Sequence, residues 1–268
     1  MKKYRWGIIG LGDIATQFAA GFASDASDLY GVCARRYSKV KAFAERFSIP
    51  QAYESAEAML ADPSIDIVYI AVPNDIHHHY IMAALAAGKH VLCEKAITTS
   101  GDELAEELAL AKEKGLVLEE AMTIYNMPLY HRLKEIVASG KLGKLKMIQA
   151  PFGSYKDPDP QNRFFNPDLG GGALLDIGTY AVSFARFFMS ESPKVEFSSM
   201  KPFETGVDEQ SVTILRNPAD EMASVTLTFQ AKMPKTGIVA FEEGYITVEE
   251  YPRADKATIH YRDGSNEF

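Results

Sequence analysis

The chain has 268 residues, a formal net charge of −8 at pH 7, and 47% hydrophobic and 24% charged residues. That balance is globular, and its sign excludes general binding to a nucleic-acid backbone. Two cysteines form no disulfide framework, and no segment is long and apolar enough to span a bilayer as a helix.

Met1 to Arg5 runs straight into the first expected strand without a signal-type apolar stretch. The expected compartment is therefore the reducing cytoplasm, with Cys33 and Cys93 as small buried residues. From Tyr4 to Ile9 the chain reads as a strand, Gly10-Leu11-Gly12 as a turn, and Ile14, Phe18 and Phe22 as the stripe of an amphipathic helix. Leu29 to Ala34 is a second strand, Ser38 to Phe47 a helix, and Ser55 to Leu60 a short helix that Asp62-Pro63 ends. Ile65 to Val72 is almost continuously apolar, as a strand buried on both faces must be. A helix over His78 to Ala87 stops at Gly88, and His90 to Cys93 is the next strand. Ser100 and Glu103 form a capping box ahead of the stripe Leu104, Leu108 and Ala111, and Leu116 to Leu118 is one more strand. Such alternation implies an α/β domain with a parallel sheet covered on both faces.

The pattern changes near residues 120–124. Pro128 to Ala138 reads as a helix and Leu145 to Phe152 as a strand, followed by a loop rich in Pro and Asp over Ser154 to Asn162. Gly170-Gly171-Gly172 precedes a helix from Ala173 to Phe188, with Phe184, Phe187 and Phe188 as core, and the methionines are likewise assigned to the core. Beyond it, Val212 to Leu215 and Val225 to Phe229 alternate apolar and polar residues, the mark of a half-exposed antiparallel sheet. Two domains are expected: 1–122, binding a dinucleotide, and 123–268, an α+β domain with a largely antiparallel open sheet.

Gly10, Gly12 and Ala15, between a strand and a helix, have the G-x-G-x-x-A spacing that receives a dinucleotide pyrophosphate. The first glycine permits the turn, the second lets the backbone approach the phosphates, and Ala15 lets the helix lie close to the strand. Asp13 and Ile14 begin that helix, whose free N–H groups face the anion. An NAD site usually has an acid about 20 residues onward for the ribose 2′-hydroxyl. Here the second strand ends Ala34-Arg35-Arg36, and a guanidinium binds a 2′-phosphate that a carboxylate would repel. NADP is therefore expected; if both arginines are merely solvated surface, NAD serves.

Three further segments carry a family resemblance: Val72-Pro73-Asn74-Asp75-Ile76-His77, Gly88 to Glu94-Lys95, and Gly170-Gly171-Gly172-Ala173-Leu174-Leu175-Asp176-Ile177-Gly178-Thr179-Tyr180. In this order they resemble the Gfo/Idh/MocA oxidoreductases over nearly the whole chain. With Glu204 to Asp208 they resemble most the branch of dimeric dihydrodiol and NADP-dependent D-xylose dehydrogenases. The resemblance implies a Rossmann domain and a catalytic Lys95, with Glu94-Lys95 closing the nicotinamide end of the cleft. It also implies Pro73, Asn74 and His77 along the cofactor, Asp176 and Tyr180 from the second domain, and a homodimer through the second sheet. It departs from the family at Ala96, where relatives have proline, and at Ile124 to Met127, where they have an Arg-aromatic pair. Relatives also continue beyond the equivalent of residue 268 with a helix that this sequence lacks or stops short of.

Oxidising an alcohol requires a base for its proton and a hydride acceptor. Asp176 and Tyr180 are four apart and share a helical face. A phenol is almost wholly protonated at neutral pH, but an ammonium about 4 Å away contributes about 4 kcal/mol at an effective dielectric near 20. The expected roles are Tyr180 as acid and base, Lys95 holding the substrate hydroxyl and tuning Tyr180, and Asp176 orienting substrate or lysine. The expected substrate is a sugar, cyclic polyol or trans-dihydrodiol-like small molecule. A non-catalytic NADP-binding regulator and an NAD-assisted glycoside hydrolase are the alternatives. The run His77-His78-His79 invites a metal, but consecutive helical residues point in different directions and no zinc-spaced cluster accompanies them, so no metal is expected.

Overall fold

The structure, a computed structural model, describes residues 3–268. The chain divides into two compact units, residues 1–121 and 122–268.

The first unit alternates strand and helix: β1 (Tyr4–Ile9), α1 (Asp13–Gly21), β2 (Ser27–Cys33), α2 (Tyr37–Phe47), β3 (Gln51–Tyr53), α3 (Ala56–Leu60), β4 (Ile67–Ile70), α4 (His77–Ala86), β5 (His90–Cys93), α5 (Gly101–Lys114) and β6 (Leu118–Glu120). The strands form one parallel sheet in the order β3-β2-β1-β4-β5-β6. The order in which successive strands are added reverses between β1 and β4, the switch point where such sheets open a crevice at the strand C-termini. Alternate residues serve opposite faces. Ile8, Val32 and Tyr69 pack with Ala15, Ala19 and Val40 of α1 and α2. Ile9, Val68 and Ile70 pack with Met59, Ile81 and Ala111 of α3, α4 and α5. The helical stripe of α1 packs on Trp6 and Tyr69, with Phe18 stacked 4.1 Å from the Tyr69 ring.

The cap of α5 differs in detail from the expected box. Ser100 Oγ accepts the Glu103 N–H at 3.4 Å, as the motif requires. The Glu103 carboxylate instead accepts from Thr98 Oγ1 at 2.6 Å, and Thr98 Oγ1 accepts the Ser100 N–H, so a hydroxyl relays the return bond.

The second unit contains α6 (Pro128–Ala138), β7 (Leu145–Gly153), α7 (Thr179–Phe188), β8 (Lys194–Pro202), β9 (Asp208–Arg216), β10 (Met222–Thr228), β11 (Gly237–Phe241), β12 (Gly244–Val248), β13 (Thr258–Tyr261) and β14 (Asn266–Glu267). Its sheet runs β14-β13-β12-β11-β7-β10-β9-β8 and is antiparallel except for the β7–β10 pair. One face carries Ile148, Ala150, Ala223, Val225, Val239 and Ile246 against α6 and α7. Register places Met147, Gln149, Ser224, Thr226, Val212 and Tyr245 on the opposite face, with Met147, Val212 and Tyr245 each about two-fifths exposed. Met147 and Met200 are thus surface residues rather than core: strand alternation turns Met147 away from the helices, and Met200 lies on β8, which is exposed along its whole length. Phe184 and Phe188 are buried as expected, while Phe187 is only partly so.

The helix expected from Ala173 is not α-helical throughout. Leu174–Gly178 is a π-turn, in which the Thr179 N–H reaches back five residues to the Leu174 carbonyl, and α7 proper follows. Asp176 lies inside this wider turn and Tyr180 on the first turn of α7, so their angular relation departs from that of a regular helix.

Candidate functional site

A cavity of about 400 Å³ opens at the C-terminal ends of β1, β2 and β4. Its wall brings together Gly10, Gly12, Ala34, Arg35, Arg36 and Pro73. Gly10 has φ +94°, and a Cβ there would lie 2.4 Å from the Ala71 carbonyl oxygen, so strand packing itself demands glycine. Gly12 differs: a Cβ built on it meets nothing within 4 Å. The protein's own packing therefore does not account for glycine at this position, whereas close approach of a ligand to the backbone does. Gly12 also caps α1 without a side-chain acceptor, leaving the first-turn amides of a nine-residue helix to be satisfied from outside.

The wall includes residues that the sequence reading did not single out. Lys39 lies three residues past Arg36, one turn into α2, and adds a third cation; that helical spacing was the available signal. Glu54 and Ser55 reach the cavity from the β3–α3 connection and Glu57 from the first turn of α3, which the β2–β3 pairing brings alongside. Glu57 is held below the usual carboxylate range by its own backbone N–H and by the Ser55 hydroxyl, so two acids face three cations. Burial pushes the Cys33 thiol up to about 12, leaving it an inert part of the wall.

Asp13, Ile14, Asn74, His77, Glu94 and Lys95 do not line this cavity. The correction for His77 is specific. Its side chain is fully buried, with Nδ1 at 2.9 Å from the Ala96 carbonyl oxygen and Nε2 at 2.9 Å from that of Val72. Both ring nitrogens are engaged by backbone, so His77 ties the end of β4 to the segment after Lys95 instead of presenting its ring to a cleft. The three histidines diverge as helical neighbours must: His78 Nδ1 meets Glu107 at 2.9 Å, and His79 lies against Tyr80. Among the described residues no group of three His, Cys, Asp or Glu side chains could hold a metal.

Lys95 follows the end of β5 and is half-buried. The Glu94 N–H donates to the Ile70 carbonyl, and Glu94 Oε1 accepts the Tyr69 hydroxyl at 2.5 Å. The Lys95–Ala96 peptide is cis. Glu120, at the end of β6, accepts the Ile97 N–H at 2.9 Å.

In the second unit, Arg163 Nη2 donates to Asp176 Oδ1 at 3.2 Å. The Tyr180 ring packs 6.2 Å from that of Phe152. Asp208 Oδ2 accepts the Leu174 N–H at 2.8 Å, and a Cβ on Gly172 (φ +116°) would lie 2.4 Å from Asp208 Oδ1. Asp208 therefore ties the start of the π-turn to the start of β9 and leaves room only for glycine at position 172, a role the sequence did not announce.

Comparison with known proteins adds an independent line. Residues 4–122 match the family described as "Oxidoreductase family, NAD-binding Rossmann fold", and residues 130–247 match "GFO/IDH/MocA C-terminal domain". A trans-1,2-dihydrobenzene-1,2-diol dehydrogenase of Homo sapiens is 34% identical over 246 residues, 90% of this chain and 73% of the relative. A D-xylose 1-dehydrogenase (NADP(+)) of Haloferax volcanii is 37% identical over 199 residues, 74% of this chain and 61% of the relative. The 3-ketoreductase KijD10 of Actinomadura kijaniata, solved with NADP and TDP-benzene, is 26% identical, with a TM-score of 0.86 over 99% of this chain and 83% of its own. The chain belongs to the Gfo/Idh/MocA family of oxidoreductases, with an NAD-binding Rossmann domain as its first unit.

Proposed function

We propose that this protein is an NADP-preferring dehydrogenase or reductase acting on a CH–OH group or its carbonyl counterpart in a sugar, cyclic polyol or dihydrodiol-like molecule. The observation that carries the cofactor choice is the cationic corner of Arg35, Arg36 and Lys39 on the cavity wall, where β2 ends without an acid. The residues present fit a dinucleotide: Gly12 leaves open space at the helix tip, and the guanidinium groups suit a 2′-phosphate. When bound, the nicotinamide supplies the hydride acceptor or donor.

In this reading Tyr180 gives or takes the proton of the substrate oxygen, Lys95 holds that oxygen as a cation, and Asp176 orients substrate or lysine. Support for the pair comes from relatives. KijD10 structures carry replacements of a lysine and a tyrosine at nearly the sequence separation of Lys95 and Tyr180. The substrate class rests on the printed activities of relatives on a dihydrodiol and on D-xylose. The test is net reduction of NADP with a panel of aldoses, inositols and diols, preceded by a binding titration. A protein that binds neither NADP nor NAD refutes the proposal. One that binds NADP but turns over nothing on the panel favours the regulator.

The reading extends to assembly and location. A homodimer through the outer face of the second sheet is supported by Met147, Val212 and Tyr245 standing exposed among Ser and Thr. Light scattering at micromolar concentration tests it. A cytoplasmic location is supported by two buried, unpaired cysteines, and among the described residues no helix is long and apolar enough to cross a membrane.

A further inference from the structure

We propose that Arg163 is a specificity-determining residue: paired with Asp176, its guanidinium makes a donor–acceptor clamp for two neighbouring hydroxyls of the substrate. The inference rests on the reading of Asp176 as a residue that orients substrate.

Backbone bonds bring the two residues together. The Gly172 N–H donates to the Phe164 carbonyl and the Gly171 N–H to the Asn166 carbonyl, both at 2.9 Å. The approach is close enough that a Cβ on Gly171 would lie 2.7 Å from the Asn166 carbonyl oxygen. The Asp176 N–H in turn donates to the Gly172 carbonyl at 3.2 Å. A continuous run of hydrogen bonds thus links the residue after Arg163 to Asp176. The far end of the same segment is fixed by Phe165, which is fully buried, with its ring 4.3 Å from that of Phe203 and 5.7 Å from that of Phe229. Across this frame Arg163 Nη2 meets Asp176 Oδ1 at 3.2 Å.

The pair adds little to folding. The Arg163 side chain is 65% exposed and that of Asp176 19%, and so open an ion pair contributes little to stability. The backbone bonds already hold both segments without it. What the pair does supply is orientation. The guanidinium carbon lies 4.7 Å from the centre of the Phe164 ring, which packs 5.7 Å from Phe229 on its own account. A ring on one side and a carboxylate at its edge set the direction of a fork that would otherwise swing freely. A guanidinium has five N–H donors, and among the described residues the Asp176 contact is the one hydrogen bond it makes. A carboxylate has about four acceptor sites, so one bond to arginine does not saturate it. Fixed donors therefore stand beside a fixed acceptor. A hydroxyl both gives and takes a hydrogen bond, so of two neighbouring hydroxyls one can donate to Asp176 while the other accepts from Arg163. An isolated hydroxyl engages one half of the clamp and leaves the other half empty.

The experiment compares the full chain as wild type, Arg163→Gln, Asp176→Asn and the double variant, with NADP and two matched pairs of probes. The pairs are D-glucose with 2-deoxy-D-glucose, and trans-cyclohexane-1,2-diol with cyclohexanol. The readout is the ratio of kcat/KM within a pair, which cancels any general damage to turnover. Where turnover is slow, dissociation constants from calorimetry on the NADP complex give the same ratio. The wild type should favour the member with the second hydroxyl about tenfold or more. Arg163→Gln should lower that ratio about tenfold, chiefly through KM, while melting within about 2 °C of wild type. The double variant should have a ratio no lower than the worse single variant, because two halves of one clamp fail together. A wild type without the preference overturns the inference. So does an Arg163→Gln protein that loses both members of a pair equally, or one that fails to fold, since the arginine would then serve structure alone. Single losses that add up in the double variant overturn it as well. Asp176→Asn separates the two levels. If Asp176→Asn keeps full turnover, the reading of Asp176 fails and the clamp with it. If Asp176→Asn loses turnover while Arg163→Gln keeps the wild-type ratio, only the inference fails. A protein that neither binds nor turns over either pair refutes the proposed substrate class, and this inference with it.

Discussion

Replacing Arg35 by alanine should convert a cofactor preference into near indifference. Arg35 is exposed on the cavity wall beside Arg36 and Lys39, facing Glu54 and Glu57. A charge-assisted hydrogen bond is worth about 1.5–3 kcal/mol, and solvent exposure places Arg35 at the lower end. At about 1.4 kcal/mol per tenfold, the loss is about 10- to 30-fold in NADP affinity. Arg36 and Lys39 limit it to that range. NAD has a hydroxyl where the phosphate would be, so its affinity should change by less than about twofold. Fluorescence titration of NADPH and NADH, at two salt concentrations, measures both. Added salt should weaken NADPH binding to the wild type and do so less in the variant. Glu57→Gln provides the opposite perturbation: the ionised carboxylate repels a phosphate, so its removal should tighten NADP about two- to fivefold and leave NAD unchanged. Equal weakening of the two cofactors in Arg35→Ala would refute the assignment of this corner to the 2′-phosphate.

Three other perturbations probe different parts of the molecule. Gly10→Ala should lower stability by about 1–3 kcal/mol from its positive φ alone, with the Ala71 carbonyl adding to that, whereas Gly12→Ala should leave the urea midpoint unchanged and raise the KM for NADP and NAD together. A loss of stability in Gly12→Ala contradicts the reading of that site as open space for phosphate. Burial raises the Asp208 carboxyl above its ordinary value. The folded chain therefore binds more protons between the unfolded and folded values, so this group makes stability fall as pH rises through that interval and stay lower above it. Asp208→Asn keeps an acceptor for the Leu174 N–H, so its urea midpoint at pH 7 should equal or exceed that of the wild type, and a clear drop there removes the argument. Tyr180→Phe should retain NADP affinity and lose about 10²- to 10⁴-fold in kcat, the usual range for a general acid–base group; full turnover would exclude the role.

The features legible in the sequence are those set by near neighbours. Gly10 and Gly12 announced a turn because a positive φ and a close approach are local demands. Ile65 to Val72 announced a doubly buried strand because no polar residue interrupts its centre, and β4 is its middle, Ile67–Ile70. The alternation in Val225 to Phe229 gave the open sheet of the second unit because one face alone meets the helices. Misassignments arose where direction rather than spacing decides. His77 sits at the expected strand end, yet its ring turns inward to two carbonyls, and Met147 follows the strand period outward. The π-turn at Leu174–Gly178 was hidden for a related reason. Its one extra residue leaves the apolar pattern of Phe184 and Phe188 intact, while altering the angle between Asp176 and Tyr180.

The residues missed at the site follow a single physical rule. Glu54 and Glu57 come to the cavity only because β3 pairs with β2, and Glu120 comes to Lys95 only because β6 pairs with β5. Strand order is decided by which apolar faces bury one another across the whole unit, and no short motif encodes it. Lys39 was within reach, since Arg36 caps α2 and a residue three positions on returns to the same side of the helix. A motif thus locates where a phosphate or a hydride acts, whereas the carboxylates that tune the surrounding charge are delivered by sheet pairing. For this reason Glu54 and Glu57 become legible at the cavity only once the β2–β3 pairing is known.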